Sequence, residues 1–212
     1  GNLELDKTAK DIFESCFLCT NCVEVCPKSL PTDMIIEQVR NDIAKKFGIA
    51  WYKKAFFALL RHRKLNDIAF KLGYTFQTCG FKIKEETNSM NSRFSLPILK
   101  TERTLPSLSK TSFLNSHQEN IDNGGKRKVA VFIGCLANYN YTDIGESLLE
   151  ILAALNIDAF LAKDQKCCSA PAYFTGDFDT VDSNAKHNIA YFESFSRDVE
   201  AIIVHEATCS AM

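Results

Sequence analysis

The sequence lacks any run of about 18 apolar residues, the length that a membrane-spanning helix requires, so no transmembrane segment is predicted. It also lacks a Gly-x-Gly-x-x-Gly turn for a flavin or nicotinamide and an evident acid–base pair. A formal net charge of −1 neither favours nor disfavours a polyanionic partner, and no nucleic-acid partner is predicted. No secretory signal is evident, so the nine cysteines are expected to be metal ligands in a reducing cytoplasm.

Four of these cysteines lie close together in a pattern that predicts an iron–sulfur site. Cys16, Cys19, Cys22 and Cys26, followed by Pro27, have the spacing C-x2-C-x2-C-x3-C-P, which is typical of bacterial ligands to cubane clusters. Three cysteines that recur every third residue can bind three irons of one cubane. The fourth is displaced by an extra residue, and in two-cluster ferredoxins it ligates the other cluster.

The main alternative for this run is a zinc site. Structural zinc sites usually pair two short Cys-x-x-Cys hooks across a longer loop, and four cysteines within eleven residues fit that pattern poorly. We therefore predict one to two [4Fe–4S] clusters, with Cys26 serving a cluster that a further segment mostly holds. Because the chain starts at Gly1 and has no second run of this kind, it is expected to be a fragment.

Residues 1–72 are predicted to form a helical ferredoxin-type domain around the cysteine run. Apolar residues recur loosely at helical spacing over residues 3–15. A second helix is expected to begin near Thr32 or Asp33, because either side chain can act as its N-cap. Helix, cluster loop and helix together are the expected frame of half a two-cluster ferredoxin.

The segment 40–72 combines positive charge with aromatic residues, and it holds nine Lys or Arg against two Asp. A basic helix with aromatic anchors can lie in an anionic membrane surface. Residues 45–64 are therefore predicted to attach the protein to the cytoplasmic face of the membrane. The alternative is that the apolar face packs inside the protein and the lysines are only solvated. The predicted anchors are Trp51, Tyr52, Phe56 and Phe57.

Residues 73–125 show little periodicity and are rich in Thr, Ser, Asn, Pro and Gly, so they are predicted to be a linker. Cys79 is the only cysteine in this stretch and is expected to be a small buried hydrophobe and not a ligand. The Asn-Gly-Gly-Lys sequence at 123–126 lacks the spacing of a phosphate loop and predicts a turn before the next strand.

From Lys128 the pattern is strand–helix–strand–helix–strand, which predicts an α/β half-domain with a three-stranded parallel sheet over residues 126–212. The carboxyl ends of parallel strands lie at one end of a sheet. A cysteine follows each strand, so four thiols are expected to converge there as a second metal site. The strands are predicted at 129–133, 157–162 and 201–204, the helices at 143–155 and 179–195, and the cysteines are Cys135, Cys167, Cys168 and Cys209.

These residues carry a family resemblance over roughly residues 8–212. The second cysteine set resembles the first half of the cysteine-rich CCG domain of heterodisulfide reductase-type iron–sulfur subunits. The iron–sulfur subunits of glycolate and lactate oxidases belong to the same group, and those of anaerobic glycerol-3-phosphate dehydrogenases are the most similar. The motifs are Gly134-Cys135, Asn138-Tyr139-Asn140, Lys166-Cys167-Cys168 with Pro171, Thr208-Cys209 and Arg103-Thr104-Leu105-Pro106.

Two positions depart from the family pattern. Ser169 occupies a position that is usually Gly, so the turn after the cysteine pair is expected to differ. Met212 occupies the position of a final cysteine in some members, which leaves four thiols instead of five. A cubane, a non-cubane cluster, zinc or no metal are then the alternatives at this site. His205 is expected to have a backbone or solvent partner, with a hydrogen bond to a sulfur as the alternative.

The resemblance implies an iron–sulfur subunit that passes electrons from a separate flavoprotein toward a quinone. FAD is then expected on a partner dehydrogenase of glycerol-3-phosphate, glycolate or lactate, and a quinone or membrane-anchor subunit is the second expected partner. The expected location is the cytoplasm or the inner face of its membrane. Two other classes stay open, namely a reductase whose CCG site acts on a disulfide and a non-catalytic thiol or zinc module.

Overall fold

The computed structural model describes residues 4–95 and 101–212, and its mixture of helices and strands agrees with the predicted α+β class. The helices are α1 Lys7–Ser15, α2 Asn21–Glu24, α3 Thr32–Phe47, α4 Trp51–Arg61, α5 Arg63–Gly80, α6 Phe113–Ser116, α7 Cys135–Tyr139, α8 Thr142–Ala154, α9 Ala170–Tyr173, α10 Phe178–Glu193 and α11 Ala207–Ser210. The strands are β1 Phe81–Lys84, β2 Ser89–Ser92, β3 Thr104–Pro106, β4 Asn120–Ile121, β5 Arg127–Phe132, β6 Ile157–Leu161 and β7 Ala201–Val204.

Contacts divide the chain into two compact units that do not follow the order of the sequence. The first unit comprises Gly1–Arg61 and Cys168–Lys186, and the second comprises His62–Cys167 and His187–Met212. The predicted domain limits at residues 72 and 125 stay predictions. Among the described residues, no helix has the length and apolar character needed to cross a bilayer.

In the first unit, α1 and α2 pack against α3. Asp6 caps α1, since its carboxylate accepts a hydrogen bond from the Ala9 amide at 2.7 Å. The predicted start of α3 near Thr32 is confirmed, but the predicted capping role of Thr32 or Asp33 is wrong, because both lie within the first turn and Pro31 precedes them without a side-chain cap. Proline has no amide hydrogen to satisfy and its backbone φ suits a helix start, so this helix begins without a polar cap.

The basic segment 45–64 is divided among three helices. Gly48, at φ 75°, ends α3, and α4 begins at Trp51. Trp51 is 79% exposed, whereas Phe57 is only 3% exposed. The prediction that Phe57 is a membrane anchor is therefore wrong, because this ring is buried inside the protein as part of the apolar side of α4. Tyr52 and Phe56 are exposed.

The second unit contains a four-stranded sheet of described strands in the order β4-β6-β5-β7. β5 is parallel to both of its neighbours, β6 and β7, as the apolar runs predict. β4 adds an antiparallel edge strand that the sequence did not predict. It has only two residues, Asn120 and Ile121, so it leaves no alternating pattern to recognise. The predicted turn at 123–126 does lie between β4 and β5.

The segment predicted as a linker contains regular structure in its described part. β1, β2 and β3 form an antiparallel sheet, and the Arg-Thr-Leu-Pro motif at 103–106 supplies β3. α5 also continues to Gly80, so the described Cys79 is on a helix, where it is exposed and not buried as predicted. These strands have three or four residues each, too few for periodicity to show. Residues 96–100 of the predicted linker lie outside the described residues.

The core of the second unit forms between the parallel sheet and the helices that cover it. Gly145 on α8 lets this helix approach α6 closely, since a Cβ there would lie 2.6 Å from the ring of Phe113. The buried core side chains are Phe113, Leu114, Val129, Val131, Ile133, Ala137, Leu152, Ala159 and Leu161.

Candidate iron–sulfur centres

The first cysteine run lies in the loop between α1 and α3. Cys16 follows the last residue of α1, and the chain then takes left-handed conformations at Leu18 (φ 50°) and Thr20 (φ 60°). Residues with side chains rarely adopt such φ values, and here they turn the chain sharply within the run. Cys19 and Cys22 are exposed and Cys16 is half-buried. The loop therefore presents its thiols toward the protein surface.

Backbone amides donate hydrogen bonds to two of the four sulfurs in this loop. The Leu18 N–H donates to Cys16 Sγ at 3.4 Å, and the Leu30 N–H donates to Cys26 Sγ at 3.5 Å. The amides of Leu30 and Lys28 lower the pKa of the Cys26 thiol below its usual value. Because such hydrogen bonds stabilise a thiolate and thiolates are the ligands of iron–sulfur clusters, the loop fits the predicted cofactor.

A site for a single metal ion is not found among the described residues. Within the described ranges 4–95 and 101–212, no three His, Cys, Asp or Glu side chains form a group that could hold one ion. This finding concerns one ion only, since the thiolates around a cubane bind separate irons. The assignment of the cysteines as cluster ligands stays a prediction.

Arg40 on α3 holds the beginning of the cysteine loop. Its guanidinium donates to the Phe13 carbonyl at 2.8 and 3.0 Å, to the Cys16 carbonyl, and to the Phe174 carbonyl at 2.8 Å. The residue is only 6% exposed. The sequence shows Arg40 only as one of the basic residues of segment 40–72, and this contact was not predicted. The sequence pattern does not distinguish an arginine that will be buried from the solvated basic residues of the same segment.

Further polar contacts join α3 and α4 to residues 168–186 of the same unit. The Tyr173 hydroxyl donates to the Glu37 carboxylate, and this bond together with burial raises the pKa of Tyr173 to about 12. The hydroxyl therefore stays protonated and remains a donor at neutral pH. On α4, Arg61 donates to Thr180 Oγ1 at 2.7 and 3.0 Å. These contacts hold the chain after Cys168 against the helices of the first unit.

Replacing Gly176 by alanine is expected to destabilise the first unit. Gly176 has φ 85°, and a Cβ there would lie 2.5 Å from the Arg40 carbonyl oxygen and 2.7 Å from the Asn41 nitrogen. Backbone atoms of a helix cannot move aside easily, so we expect a loss of about 2–5 kcal/mol in unfolding free energy. Urea denaturation followed by circular dichroism measures this loss.

Gly124→Ala is the matched control. Gly124 has φ 70°, but no atom lies within 4 Å of the position of an added Cβ. Only the backbone conformation then opposes the substitution, and the expected cost is about 1 kcal/mol. Equal losses in the two variants would show that close packing at Gly176 is unimportant.

Three cysteines of the second set lie in loops at the carboxyl end of the parallel sheet in the second unit. Cys135 begins α7 just after β5, Cys167 follows β6, and Cys209 lies in α11 after β7. Because β5 is parallel to β6 and β7, these loops all leave from the same end of the sheet. Cys168 is assigned to the first unit, so the grouping of all four thiols stays a prediction.

Gln165 ties two of these loops together. Its side chain is buried, and its amide oxygen accepts a hydrogen bond from the Ile133 N–H at 3.2 Å while its amide nitrogen donates to the Ile133 carbonyl. Ile133 is two residues before Cys135, and Gln165 is two residues before Cys167. This paired contact fixes the spacing between the loops that carry the two cysteines. No pattern in the sequence singled out Gln165.

The carboxylate of Glu206 joins α7 to α11. It accepts hydrogen bonds from the Cys209 thiol at 3.2 Å and from the Ala137 amide at 3.2 Å. Adjacent His205, the Cys209 thiol and the Ala137 amide lower the pKa of Glu206 below its usual value. A Cβ on Gly134 would lie 2.2 Å from a carboxylate oxygen, so glycine permits this close approach.

His205 lies at the same end of the sheet, directly after β7. Its side chain is 9% exposed, and Nε2 is 3.5 Å from Glu206 Oε1. No backbone partner of either ring nitrogen is found among the described residues, and a solvent partner stays a prediction. The group that the ring faces is the Glu206 carboxylate.

Ser169 keeps the conformation that glycine favours. Its backbone has φ 70° and ψ 16°, in the left-handed region, and its side chain is fully buried. The Asn184 side-chain amide donates to Ser169 Oγ at 2.8 Å. The substitution of Ser for the usual Gly therefore does not remove the left-handed turn after the cysteine pair, and the hydroxyl has a buried partner.

Comparison with known proteins finds a likeness in the last part of the chain. Residues 129–212 match the family model of the cysteine-rich domain called CCG. The predicted resemblance to CCG-domain proteins is therefore confirmed for these residues.

The similar proteins extend the likeness beyond this domain. A probable glycolate oxidase iron–sulfur subunit of Bacillus subtilis is 27% identical over 218 aligned positions, which cover 100% of this chain and 49% of that protein. An uncharacterized iron–sulfur protein of Methanococcus maripaludis is 28% identical over 98% of this chain and 35% of its own length. Lactate utilization protein A 1 of Bacillus mycoides is 34% identical over 85 residues, which are 40% of this chain and 33% of that protein.

The chain thus spans between a third and a half of the length of these relatives. No solved structure matches it significantly.

Proposed function

We propose that this protein is an iron–sulfur electron-transfer subunit of an oxidoreductase complex. The observation that carries the proposal is the loop from Cys16 to Cys26, in which backbone amides donate to the sulfurs of both terminal cysteines. The CCG match and two similar proteins that are named as iron–sulfur proteins support it.

The residues of the chain would bind and tune the cofactor. When bound, a [4Fe–4S] cluster supplies reversible uptake of an electron. Cys16, Cys19 and Cys22 would hold one cluster, and Cys26 would serve a second. Because Cys19 and Cys22 are exposed, a redox partner can approach the loop closely. The cysteines at 135, 167, 168 and 209 would form the acceptor site.

The partner is proposed from the chemistry of the relatives. Two of them are named for glycolate oxidase and lactate utilization, and 2-hydroxy acids are oxidised by removal of two electrons. A flavoprotein dehydrogenase for glycolate, lactate or glycerol 3-phosphate would carry the FAD and deliver these electrons. The final acceptor would be a quinone, reached through a membrane-anchor subunit or by direct attachment to the inner membrane face.

One observation favours a second candidate function. The Cys209 thiol donates to the Glu206 carboxylate at 3.2 Å, so a proton acceptor lies beside a thiol at the second cysteine set. A reductase that acts on a disulfide needs two electrons and two protons for each disulfide. The partner flavoprotein would supply the electrons in that case, and Glu206 would be one route for a proton.

Anaerobic stopped-flow spectroscopy separates the two functions. The protein is prepared without oxygen, reduced with dithionite and mixed with either a water-soluble quinone or a small disulfide. For an electron-transfer subunit, we expect the visible absorption lost on reduction to return rapidly with quinone and slowly with disulfide. Faster recovery with the disulfide supports the second function, and a protein without reducible absorption contradicts both.

Attachment to anionic membranes is expected to depend on four lysines of the first unit. Lys45, Lys46 and Lys54 are exposed and Lys53 is half-exposed, and each cation near an anionic surface contributes about 1 kcal/mol. Changing all four to Gln is expected to weaken sedimentation with phosphatidylserine vesicles at least about tenfold. Trp51, the only tryptophan of the chain, reports on the contact because its fluorescence shifts to the blue in lipid.

The matched control removes the same charge elsewhere, through Gln substitutions at the exposed residues Lys82, Lys84, Lys126 and Lys186. This variant is expected to bind vesicles almost like the unaltered protein. Equal binding to neutral vesicles, or no binding at low salt, would leave packing as the only explanation for the segment 45–64.

A further inference from the structure

We infer that Arg40 is the buried positive charge that positions the cluster loop and raises the reduction potential of the cluster held by Cys16, Cys19 and Cys22. This inference rests on the proposed iron–sulfur function. It assigns a role to a residue that no cysteine motif includes, and the role follows from the contacts and the burial of its guanidinium group.

The contacts place the guanidinium directly against the loop. Nε and one terminal nitrogen donate to the Phe13 carbonyl at 3.0 and 2.8 Å, and the same terminal nitrogen donates to the Cys16 carbonyl. The other terminal nitrogen donates to the Phe174 carbonyl at 2.8 Å. A single side chain thereby joins the end of α1, the backbone of the first cysteine and the segment after α9.

The charge on Arg40 is not paired directly with a described carboxylate. The residue is 6% exposed, and its guanidinium forms no salt bridge within 4.0 Å with any described Asp or Glu. The carboxylate of Glu37, one turn earlier on α3, instead accepts a hydrogen bond from Tyr173. Arginine stays charged at all ordinary pH values. A buried charge without a counter-charge is unfavourable, and carbonyl dipoles offset this only in part.

A cluster bound by thiolates would bring negative charge beside this guanidinium. Reduction would add a further electron, so a nearby fixed cation would stabilise the reduced form more than the oxidised form. Burial of Arg40 limits the screening of its charge by water. The potential of an iron–sulfur cluster is set in part by local net charge and hydrogen bonding, and Arg40 contributes to both at the Cys16 end of the loop.

The test is an EPR-monitored redox titration of the full chain with Arg40→Gln and Arg40→Lys. In Arg40→Gln, the ratio of reduced to oxidised cluster at a fixed potential is expected to fall about tenfold, a shift of about 59 mV for one electron. Arg40→Lys keeps the charge but loses the planar set of five donors, so the ratio of reduced to oxidised cluster is expected to change less than about twofold while the melting temperature falls.

Arg61→Gln is the matched control, because Arg61 lies in the same unit and donates to Thr180 and not to the cysteine loop. It is expected to leave the potential unchanged. Equal potentials in Arg40→Gln and the unaltered protein, at equal iron content, would overturn the inference and leave the proposed function intact.

If Arg40→Gln fails to fold, Arg40→citrulline replaces it, because citrulline has nearly the same shape as arginine and carries no charge. A fall of about tenfold in the ratio of reduced to oxidised cluster in that variant supports the inference, and a potential equal to that of the unaltered protein overturns it. Absence of iron from the unaltered protein contradicts the proposed function itself, so the two failures are distinguishable.

Discussion

Replacing Cys19 by alanine is expected to remove the cluster of the first unit. Cys19 is the central cysteine of three spaced at intervals of three residues, and loss of one ligand leaves an iron of the cubane open to solvent and oxygen. We expect iron and inorganic sulfide to fall by more than about half, together with the EPR signal of the reduced protein. Metal analysis and EPR on protein prepared without oxygen measure both.

Cys79→Ala is the matched control for this experiment. Cys79 is exposed on a helix and lies in no cysteine motif, so its loss is expected to change neither iron content nor the EPR signal. Equal iron in Cys19→Ala and in the unaltered protein would remove Cys19 from the ligand set. A second comparison uses Cys26→Ala. The cluster held by the other three cysteines is expected to persist in this variant, and its EPR signal with it.

Replacing Cys209 by alanine is expected to abolish the second site. Its thiol is hydrogen-bonded to Glu206, which also holds the amide of Ala137 at the beginning of α7. The substitution therefore removes a predicted ligand and loosens the contact that joins α11 to α7. We expect loss of any metal or redox signal assigned to the second set and retention of the signal from the first.

Thr208→Ala is the neighbouring control on α11, where Thr208 is exposed. It is expected to preserve both signals. If Cys209→Ala changes neither the metal content nor the redox signal, then Cys209 has no part in a second site. Loss of the first signal as well would show that the two sets depend on each other.

The sequence predicts the parallel strands and the cysteine run well, because both depend on local patterns. The strand over 201–204 has the predicted limits, and the strand at 157–161 ends one residue before its predicted end. The strand at 127–132 begins two residues before its predicted start and ends one residue before its predicted end. Four apolar residues in succession and a cysteine at every third position are signals within a few residues of one another.

The contacts that depend on tertiary packing were not predictable in this way. Arg40 is one of nine basic residues in its segment. Only the folded chain shows that its guanidinium donates hydrogen bonds to the carbonyls of Phe13 and Phe174. The pairing of Gln165 with Ile133 joins two loops 32 residues apart. β4 is too short to leave a pattern. In each case the partner is distant in sequence, so no local spacing identifies it.

The most direct test of the central claim is analysis of metal, sulfide and EPR signals in the 212-residue chain purified without oxygen. We expect iron and inorganic sulfide in about equal amounts, visible absorption that bleaches on reduction, and an EPR signal that appears with dithionite. Stoichiometric zinc without sulfide, together with no EPR signal after reduction, would contradict the account and assign the cysteines to a structural metal site.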